Sequence, residues 1–426
     1  MPERSSDFTF VADGRDKWGI GFMISADAKR GGRSAGTLSW GGLHTTFFWV
    51  DQDRGVAGVI LMQLLPFADA RALAVYDAFE RPDIPTGRDR ELRAFELHPN
   101  DGFDALQLVD RPRPAVGSGD VRVRVRAVSL NYRDLMVARG SKKRAKRIVP
   151  ASDGAGEIIE VGGGVRRLAI GDRVAAAFFP TWFDGSFAEE HHANALGGSL
   201  DGMLAEEVVL AERACVKIPS RYSFEQASTL PCAGVTAWHA LFEASTLAPG
   251  ETVLVQGGGG VSTFALQLAR AAGAGVIATS SSPDKRARLE QMGAMATIDY
   301  TADAKWGDTA RAAAGNGGVS LVVEVGGAGT FDQSVASLRY GGRMSILGIL
   351  AGTQGPVNTY AIFHKNLRIH GVYVGSVAMF ERLVRALEHS NIDPVIDRVF
   401  AFDNTRAAYE HLASGSHFGK VVIRVE

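Results

Sequence analysis

Thr252-Val253-Leu254-Val255-Gln256-Gly257-Gly258-Gly259-Gly260-Val261-Ser262-Thr263-Phe264-Ala265-Leu266-Gln267-Leu268-Ala269 is the stretch that decides the fold. Residues 252–256 form a short β-rich run, and four glycines follow at once. From Val261 the apolar period changes, placing Val261, Ala265, Leu268, Ala269 and Ala272 on one helix face. Strand, glycine turn and helix open a dinucleotide-binding βαβ unit. Glycine lets the backbone bend tightly and approach a pyrophosphate closely. The helix N-terminus then offers unpaired N–H groups and partial positive charge. Gly257, Gly259, Gly260 and Val261 are the cofactor contacts this reading expects.

Residues 276–279 read as the next strand, running into Ser280-Ser281-Ser282-Pro283-Asp284-Lys285-Arg286. An NAD site usually has Asp or Glu at this strand end to hold the ribose hydroxyls. Here three hydroxyls and two cations stand instead, which favours NADPH, with Ser280, Ser281 and Lys285 as contacts. Ser282-Pro283 also reads as the cap and first position of a helix, and both readings can hold together. Further on, strands at 296–300, 319–325 and 343–347 alternate with helices, which argues for a doubly wound parallel sheet. Ligands lie at strand carboxyl ends, so Gly326, Gly348 and Ile349 are expected beside the cofactor.

The 426 residues allow two or three domains. Apolar content of 46 % and charged content of 22 % are those of an ordinary globular protein. A net charge of −1 gives no reason to expect nucleic acid or an acidic membrane as partner. No apolar run is long enough for a transmembrane helix. Met1-Pro2-Glu3-Arg4-Ser5-Ser6-Asp7 lacks a signal-peptide core, and two cysteines, Cys215 and Cys232, fit a reducing compartment. A cytoplasmic location is expected.

Residues 1–85 read as strands at 18–25, 36–41, 46–51 and 56–63, then a helix at 69–80. A polar linker with Pro and Gly follows. Gly19-Ile20-Gly21-Phe22, Trp40-Gly41-Gly42 and Phe47-Phe48-Trp49-Val50-Asp51, through to Leu61-Met62-Gln63-Leu64-Leu65-Pro66, resemble the C-terminal end of class C β-lactamase-like serine hydrolases. In that family the nucleophile motif Ser-x-x-Lys and a Tyr-x-Asn lie upstream of such a stretch. Without nucleophile or base, covalent catalysis has no starting point. The segment is therefore expected to be a non-catalytic fragment: a partial antiparallel sheet with a helix, exposing Phe47, Phe48 and Trp49 unless it packs on something else.

Residues 93–426 resemble the medium-chain dehydrogenase/reductase superfamily, nearest its zinc-free, quinone-oxidoreductase-like members. The matching stretches are Ser129-Leu130-Asn131-Tyr132-Arg133-Asp134-Leu135, Pro150-Ala151-Ser152-Asp153-Gly154-Ala155-Gly156, Gly171-Asp172-Arg173-Val174, Leu230-Pro231-Cys232-Ala233-Gly234-Val235-Thr236-Ala237-Trp238, the glycine turn, and Gly415-Ser416-His417-Phe418-Gly419-Lys420. The resemblance implies an α/β chain with a GroES-like β-rich catalytic domain at 93–233 and 369–426. A Rossmann domain would occupy 234–368, and the linker 86–92. It also implies a homodimer. Thr236 near the domain junction, with Phe418 and Lys420 closing over nicotinamide or phosphate, are cofactor contacts on the same ground.

Zinc-dependent relatives carry ligands at the places that resemble Asn131, Ser152-Asp153 and Cys232. Only Cys232 is a good zinc ligand, and a catalytic zinc needs three. No metal is expected, and Cys232 reads as a small buried residue rather than a nucleophile. Without a Lewis acid, alcohol oxidation loses its usual alkoxide stabiliser. A quinone or α,β-unsaturated carbonyl can instead take hydride from NADPH, with hydrogen bonds stabilising the anion. Asn131, Tyr132 and Ser152 are the candidates for those bonds, and Asp134 would orient the first stretch or simply cap a turn.

Three other features read as non-catalytic. Lys142-Lys143-Arg144-Ala145-Lys146-Arg147 is a solvated basic loop. His191-His192 lies in an inserted-looking loop, 178–202, that covers the surface or the substrate. Phe418-Gly419-Lys420 is also the last turn before a strand at 421–425. The expected function is an NADPH-dependent, zinc-independent oxidoreductase acting on a small-molecule quinone or enone. The alternatives are an alcohol or aldehyde dehydrogenase-like reductase, or a non-catalytic NADPH-binding protein.

Overall fold

A computed structural model describes residues 17–18, 23–25, 34–42, 46–52, 56–61, 91–98, 106–140 and 146–425. The helix expected at 69–80, the linker up to residue 90, Gly19 to Phe22, Met62 to Pro66, and Lys142 to Ala145 of the basic run lie outside them. The chain divides into two compact units, Met1–Glu91 with Pro112–Ala115, and Leu92–Arg111 with Val116–Glu426.

The first unit holds a five-stranded antiparallel meander, Lys17–Trp18, Met23–Ile24, Leu38–Gly42, Thr46–Asp51 and Val56–Ile60. Alternation along Thr46–Asp51 puts Phe47, Trp49 and Asp51 on the buried side. Phe47 and Trp49 are each 7 % exposed, so these two side chains are covered, as a sheet that must pack on something requires. Trp49 faces Gly58 across the ladder, where any side chain would collide with its indole. The buried Asp51 carboxylate accepts from the Ser34 amide at 2.7 Å.

In the second unit, Asp120–Leu130 is the long central strand of a mostly antiparallel seven-stranded sheet. Asp153–Val161, Glu207–Ala211 and the C-terminal Lys420–Arg424 all pair with it antiparallel. The chain thus leaves this sheet, builds a second layer, and returns to close the first. The second layer is a six-stranded parallel sheet. Its order is Ala296–Ile298, Gly275–Thr279, Thr252–Gln256, Val319–Glu324, Leu338–Ile346 and Arg368–Gly371. This is the doubly wound order that reverses between the first and fourth strands, the point at which such sheets bind their ligands. The parallel layer runs past residue 368, because Met344, Ser345 and Ile346 pair with Ile369, His370 and Gly371.

Val253, Leu254 and Val255 are fully buried, as a central parallel strand covered on both faces requires. The Gly260–Ala271 helix buries more than the expected face, with Ser262, Thr263, Phe264 and Leu266 also inside. Its far side packs on the helical segment around Leu230–Gly234, where Phe264 approaches Gly234. A single-stripe reading assumes one covered side, and this helix has two.

Candidate active site

The glycine turn does two jobs. Gly257 has φ +72°, a conformation that favours glycine. A Cβ added at Gly257 or Gly259 would meet nothing within 4 Å, so both border open space at the strand ends. Gly258 and Gly260 face protein instead, Gly258 the Phe418 ring and Gly260 the Lys420 stem. Gly419 donates its amide to Gly258 O at 2.7 Å, so the C-terminal segment is fastened to the turn. Phe418 is buried there, with the Arg288 guanidinium 3.9 Å above its ring. The turn is thus open on one side and packed against the C-terminal segment on the other.

A buried network that the sequence reading missed ties the strand ends together at the switch point. Glu324, at the end of its strand, is fully buried. Its carboxylate accepts from Gln256 Nε2 at 2.7 Å and from the amides of Gly326 and Gly327 at 2.8 and 2.9 Å. Thr330 and Ser334 hydroxyls also donate to it. Gln256 Oε1 in turn accepts from the Val325 and Gly326 amides. Two neighbouring strand ends are thereby locked at the switch point. A glutamate closing the apolar run Val319-Ser320-Leu321-Val322-Val323 was the available signal.

Ser280 is buried and Ser281 exposed at the end of Gly275–Thr279. Ser282 caps the Pro283–Gln291 helix and accepts from the Lys285 amide at 3.3 Å, with Pro283 at the first position. Arg286 is bound to Ser280 O and Asp299, each at 2.8 Å. Lys285 Nζ donates to Gly415 O at 2.7 Å, and burial lowers its pKa. Val261 stands half-buried in the first turn of its helix, Thr236 is buried in the Val235–Trp238 helix, and Gly326 lies two residues past the end of its strand. Gly348 lies against Val325 O, so it borders backbone rather than open space.

Asn131, Asp134, Ser152, Asp153, Cys232 and Lys420 gather where the two sheets meet. Asn131 caps the Tyr132–Ala138 helix, and its amide donates to Asp134 Oδ2 at 2.8 Å. Asp134 completes the capping box from inside the protein, where burial raises its pKa to about 6 against the pull of Arg133. Ser152 donates its hydroxyl to Asp153 Oδ1 at 2.7 Å, and the Cys232 amide donates to Asp153 Oδ2 at 2.9 Å. Burial raises the Asp153 pKa, and Lys420 is the largest opposing influence. Ala151, just before this pair, has φ +65°, a strained conformation for a residue with a side chain. Tyr132 is 42 % exposed and stands outside the cluster.

The sequence reading put Lys420 at the cofactor. Its stem does lie on the glycine turn, but its ammonium runs through to the other sheet. There it donates to Leu130 O at 2.7 Å and to Asn131 Oδ1. Burial lowers its pKa, with Asp153 first among the groups that raise it. Burial pushes the Cys232 thiol pKa well above its usual range, which leaves it protonated and suits the inert reading.

Beside this cluster stands an aromatic wall. Phe178, Phe179, Phe187 and Tyr373 meet edge to face or tilted, at centroid distances of 4.6 to 6.2 Å. Arg133 lies 4.6 Å over Phe178. Burial raises the Tyr373 pKa, and the nearby Arg133 charge opposes that rise. His191, in the short Glu189–His192 helix, stacks on Trp182 at 6.0 Å, and His192 tilts against Tyr373 at 5.6 Å. Val374 carries φ +53°, a second strained residue at this wall.

The chain is similar to known proteins over most of its second unit. Residues 117–220 match the family model described as alcohol dehydrogenase GroES-like domain, and residues 260–389 that described as zinc-binding dehydrogenase. A zinc-type alcohol dehydrogenase-like protein of Schizosaccharomyces pombe is 41 % identical over 334 residues, 76 % of this chain and 96 % of its own. An acryloyl-coenzyme A reductase of Metallosphaera sedula is 31 % identical over 339 residues, 76 % of this chain and 96 % of its own. The structure of crotonyl-CoA carboxylase/reductase AntE in complex with NADP matches with a TM-score of 0.70 at 26 % identity. That match covers 79 % of this chain and 95 % of the other.

Proposed function

The chain belongs to the medium-chain dehydrogenase/reductase superfamily, and we propose that it is an NADPH-dependent, zinc-independent reductase of quinones or α,β-unsaturated carbonyls. The observation that carries this reading is the Lys420 ammonium on Asn131, at the junction where a metal-dependent oxidoreductase would need three metal donors. The acryloyl- and crotonyl-CoA reductases among its relatives are named for conjugated thioesters, which supports an activated acceptor. The aromatic wall of Phe178, Phe179 and Tyr373 suits a flat one.

When bound, the reduced nicotinamide supplies the hydride. The protein's own part is to bind, orient and stabilise charge. Gly257 and Gly259 leave room for the pyrophosphate, and the Gly260–Ala271 helix presents its N-terminus to it. Ser280, Ser281 and Lys285, in place of an acidic residue, favour the 2′-phosphate of NADPH. Thr236, Val261 and Gly326 complete the cofactor's surroundings, while Gly348 packs on Val325 and the Phe418 ring supports the turn from its protein side. Asn131 stabilises charge on the acceptor, with Tyr132 at the mouth and Asp134 holding Asn131 in place. Ser152, whose hydroxyl is spent on Asp153, positions that carboxylate behind the site rather than meeting the acceptor.

We read residues 93–233 with 369–426 as the catalytic domain and 234–368 as the nucleotide domain. Residues 1–85 are a non-catalytic β-lactamase-like fragment joined through 86–92. The enzyme acts as a cytoplasmic homodimer. The deciding experiment follows NADPH and NADH oxidation against quinones, enones and enoyl thioesters, with alcohols and aldehydes as controls. NADPH-specific turnover of conjugated acceptors alone is expected. Turnover confined to aldehydes, or cofactor binding with no turnover on any acceptor, refutes the reading.

A further inference from the structure

We propose that the buried Lys420 ammonium takes the place of a metal ion at this centre, as the fixed cation beside which the acceptor oxygen gains its negative charge. The proposal rests on the reductase reading given above. Similarity to zinc-type relatives implies a metal, but the donors present do not fit one. Asn131 offers an amide oxygen already bonded to Lys420. Asp153, which accepts from Ser152 and from the Cys232 amide, and the Cys232 thiol make two donors, one short of the three a catalytic zinc needs. Among the described residues no group of three or more His, Cys, Asp or Glu side chains is placed to hold a metal ion. The positions that resemble ligands instead surround a cation supplied by the chain itself.

Lys420 suits that part for three reasons. It is 3 % exposed, and its charge acts on Asp153, Cys232 and Asp134 together. Its stem is held against Gly260, which ties the cation to the turn that receives the cofactor. An ammonium has three N–H groups, and among the described residues two of them find acceptors, Leu130 O and Asn131 Oδ1. One donor is left for an oxyanion. As the β-carbon of the enone gains hydride, its C=C π bond breaks and the electron pair moves to the carbonyl oxygen. The reductant would be the bound reduced nicotinamide, which would supply that hydride, and the acceptor is what is reduced. The Lys420 N–H stabilises the enolate by hydrogen bond and keeps its proton, and water delivers a proton to the α-carbon. A preorganised donor is effective because it need not reorganise during the reaction.

Two arms test this on the full chain. In the first, Asn131→Cys completes a Cys, Asp, Cys donor set with Asp153 and Cys232, of a kind that holds zinc. After zinc exposure and desalting, N131C is expected to retain below ~0.1 zinc per chain, and N131C/K420A about one, since only the double variant has lost the resident cation. Equal uptake by both, or uptake by neither, overturns the proposal. In the second arm, Lys420→Met is expected to lower kcat by about 100-fold with the KM for NADPH nearly unchanged, and Lys420→Arg to recover part of it. A large rise in cofactor KM with kcat retained would make Lys420 a phosphate ligand and overturn it too. Circular dichroism confirms that each variant is folded. If the unaltered chain reduces no acceptor, the reductase reading fails, while zinc uptake still decides what occupies the cation position.

Discussion

Gly258 and Gly259 are neighbours of one type with opposite reasons to be glycine. A Cβ on Gly258 would come within 2.6 Å of the Phe418 ring, inside a packed core. Gly259 has ordinary extended backbone, φ −77° and ψ 176°, and faces open space. Gly258→Ala is therefore expected to cost about 1–3 kcal/mol of folding stability by overpacking, read from urea unfolding. Gly259→Ala should leave stability nearly unchanged but weaken NADPH about tenfold or more in a fluorescence titration, because the methyl fills the space the pyrophosphate needs. The same loss of stability in both would show that the turn is a packing device and not a cofactor seat. At this scale the sequence told only part of the story. Four consecutive glycines between a strand and a helix announced the turn. Which of them faces solvent depends on Phe418 and Lys420, some 160 residues later in the chain. The direction of the Lys420 ammonium was unreadable for the same reason. A Gly-Lys pair before a terminal strand does not say which sheet the side chain crosses to.

Among the elements, the Val319–Glu324 strand shows how periodicity finds a segment and misses its purpose. Its burial on both faces made the strand legible, but the apolar run was read straight through Glu324 to Val325. The partners of Glu324 stand on Thr252–Gln256 and on the loop and helix after its own strand. Linear sequence does not reveal that convergence. Removing the carboxylate leaves the Gln256 amide, two backbone N–H groups and two hydroxyls without their shared acceptor. Glu324→Ala is expected to cost about 2–4 kcal/mol, more than one hydrogen bond is worth, because buried donors lose their partner. It should also raise the KM for cofactor, since Gly326 loses its anchor at the strand end. Urea unfolding with initial-rate kinetics checks both. A loss below about 1 kcal/mol, with KM unchanged, would mean that water substitutes for the carboxylate and the lock is dispensable.

For the whole molecule, the boundary that matters lies between residues 90 and 92. The sequence reading placed the reductase from residue 93, close to where the second compact unit begins, at Leu92. That single residue belongs to the Leu92–Leu97 strand, which pairs antiparallel with Leu106–Arg111. The hairpin is not a free appendage. The Phe95 amide donates to Leu204 O at 3.0 Å, the Leu97 amide to Ile148 O at 2.9 Å, and the Phe95 ring packs edge-on to Phe402 at 5.1 Å. Ala94 and Leu97 are fully buried. Cutting the chain before Glu91 removes the five-stranded meander and keeps every one of these bonds. Cutting before Pro112 strips two bonded strands from the catalytic sheet's surroundings and uncovers its core. The first truncation is expected to melt within about 2 °C of the unfolding of the same unit in the full chain, with kcat/KM within about twofold. The second should lose about 3 kcal/mol or more through uncovered apolar side chains, each worth about 1.5–3 kcal/mol when fully buried. Differential scanning calorimetry and steady-state kinetics on the two truncations separate the cases. Lost activity in the chain starting at Glu91 would mean that the meander helps build the reductase site, and its reading as a non-catalytic fragment would fall.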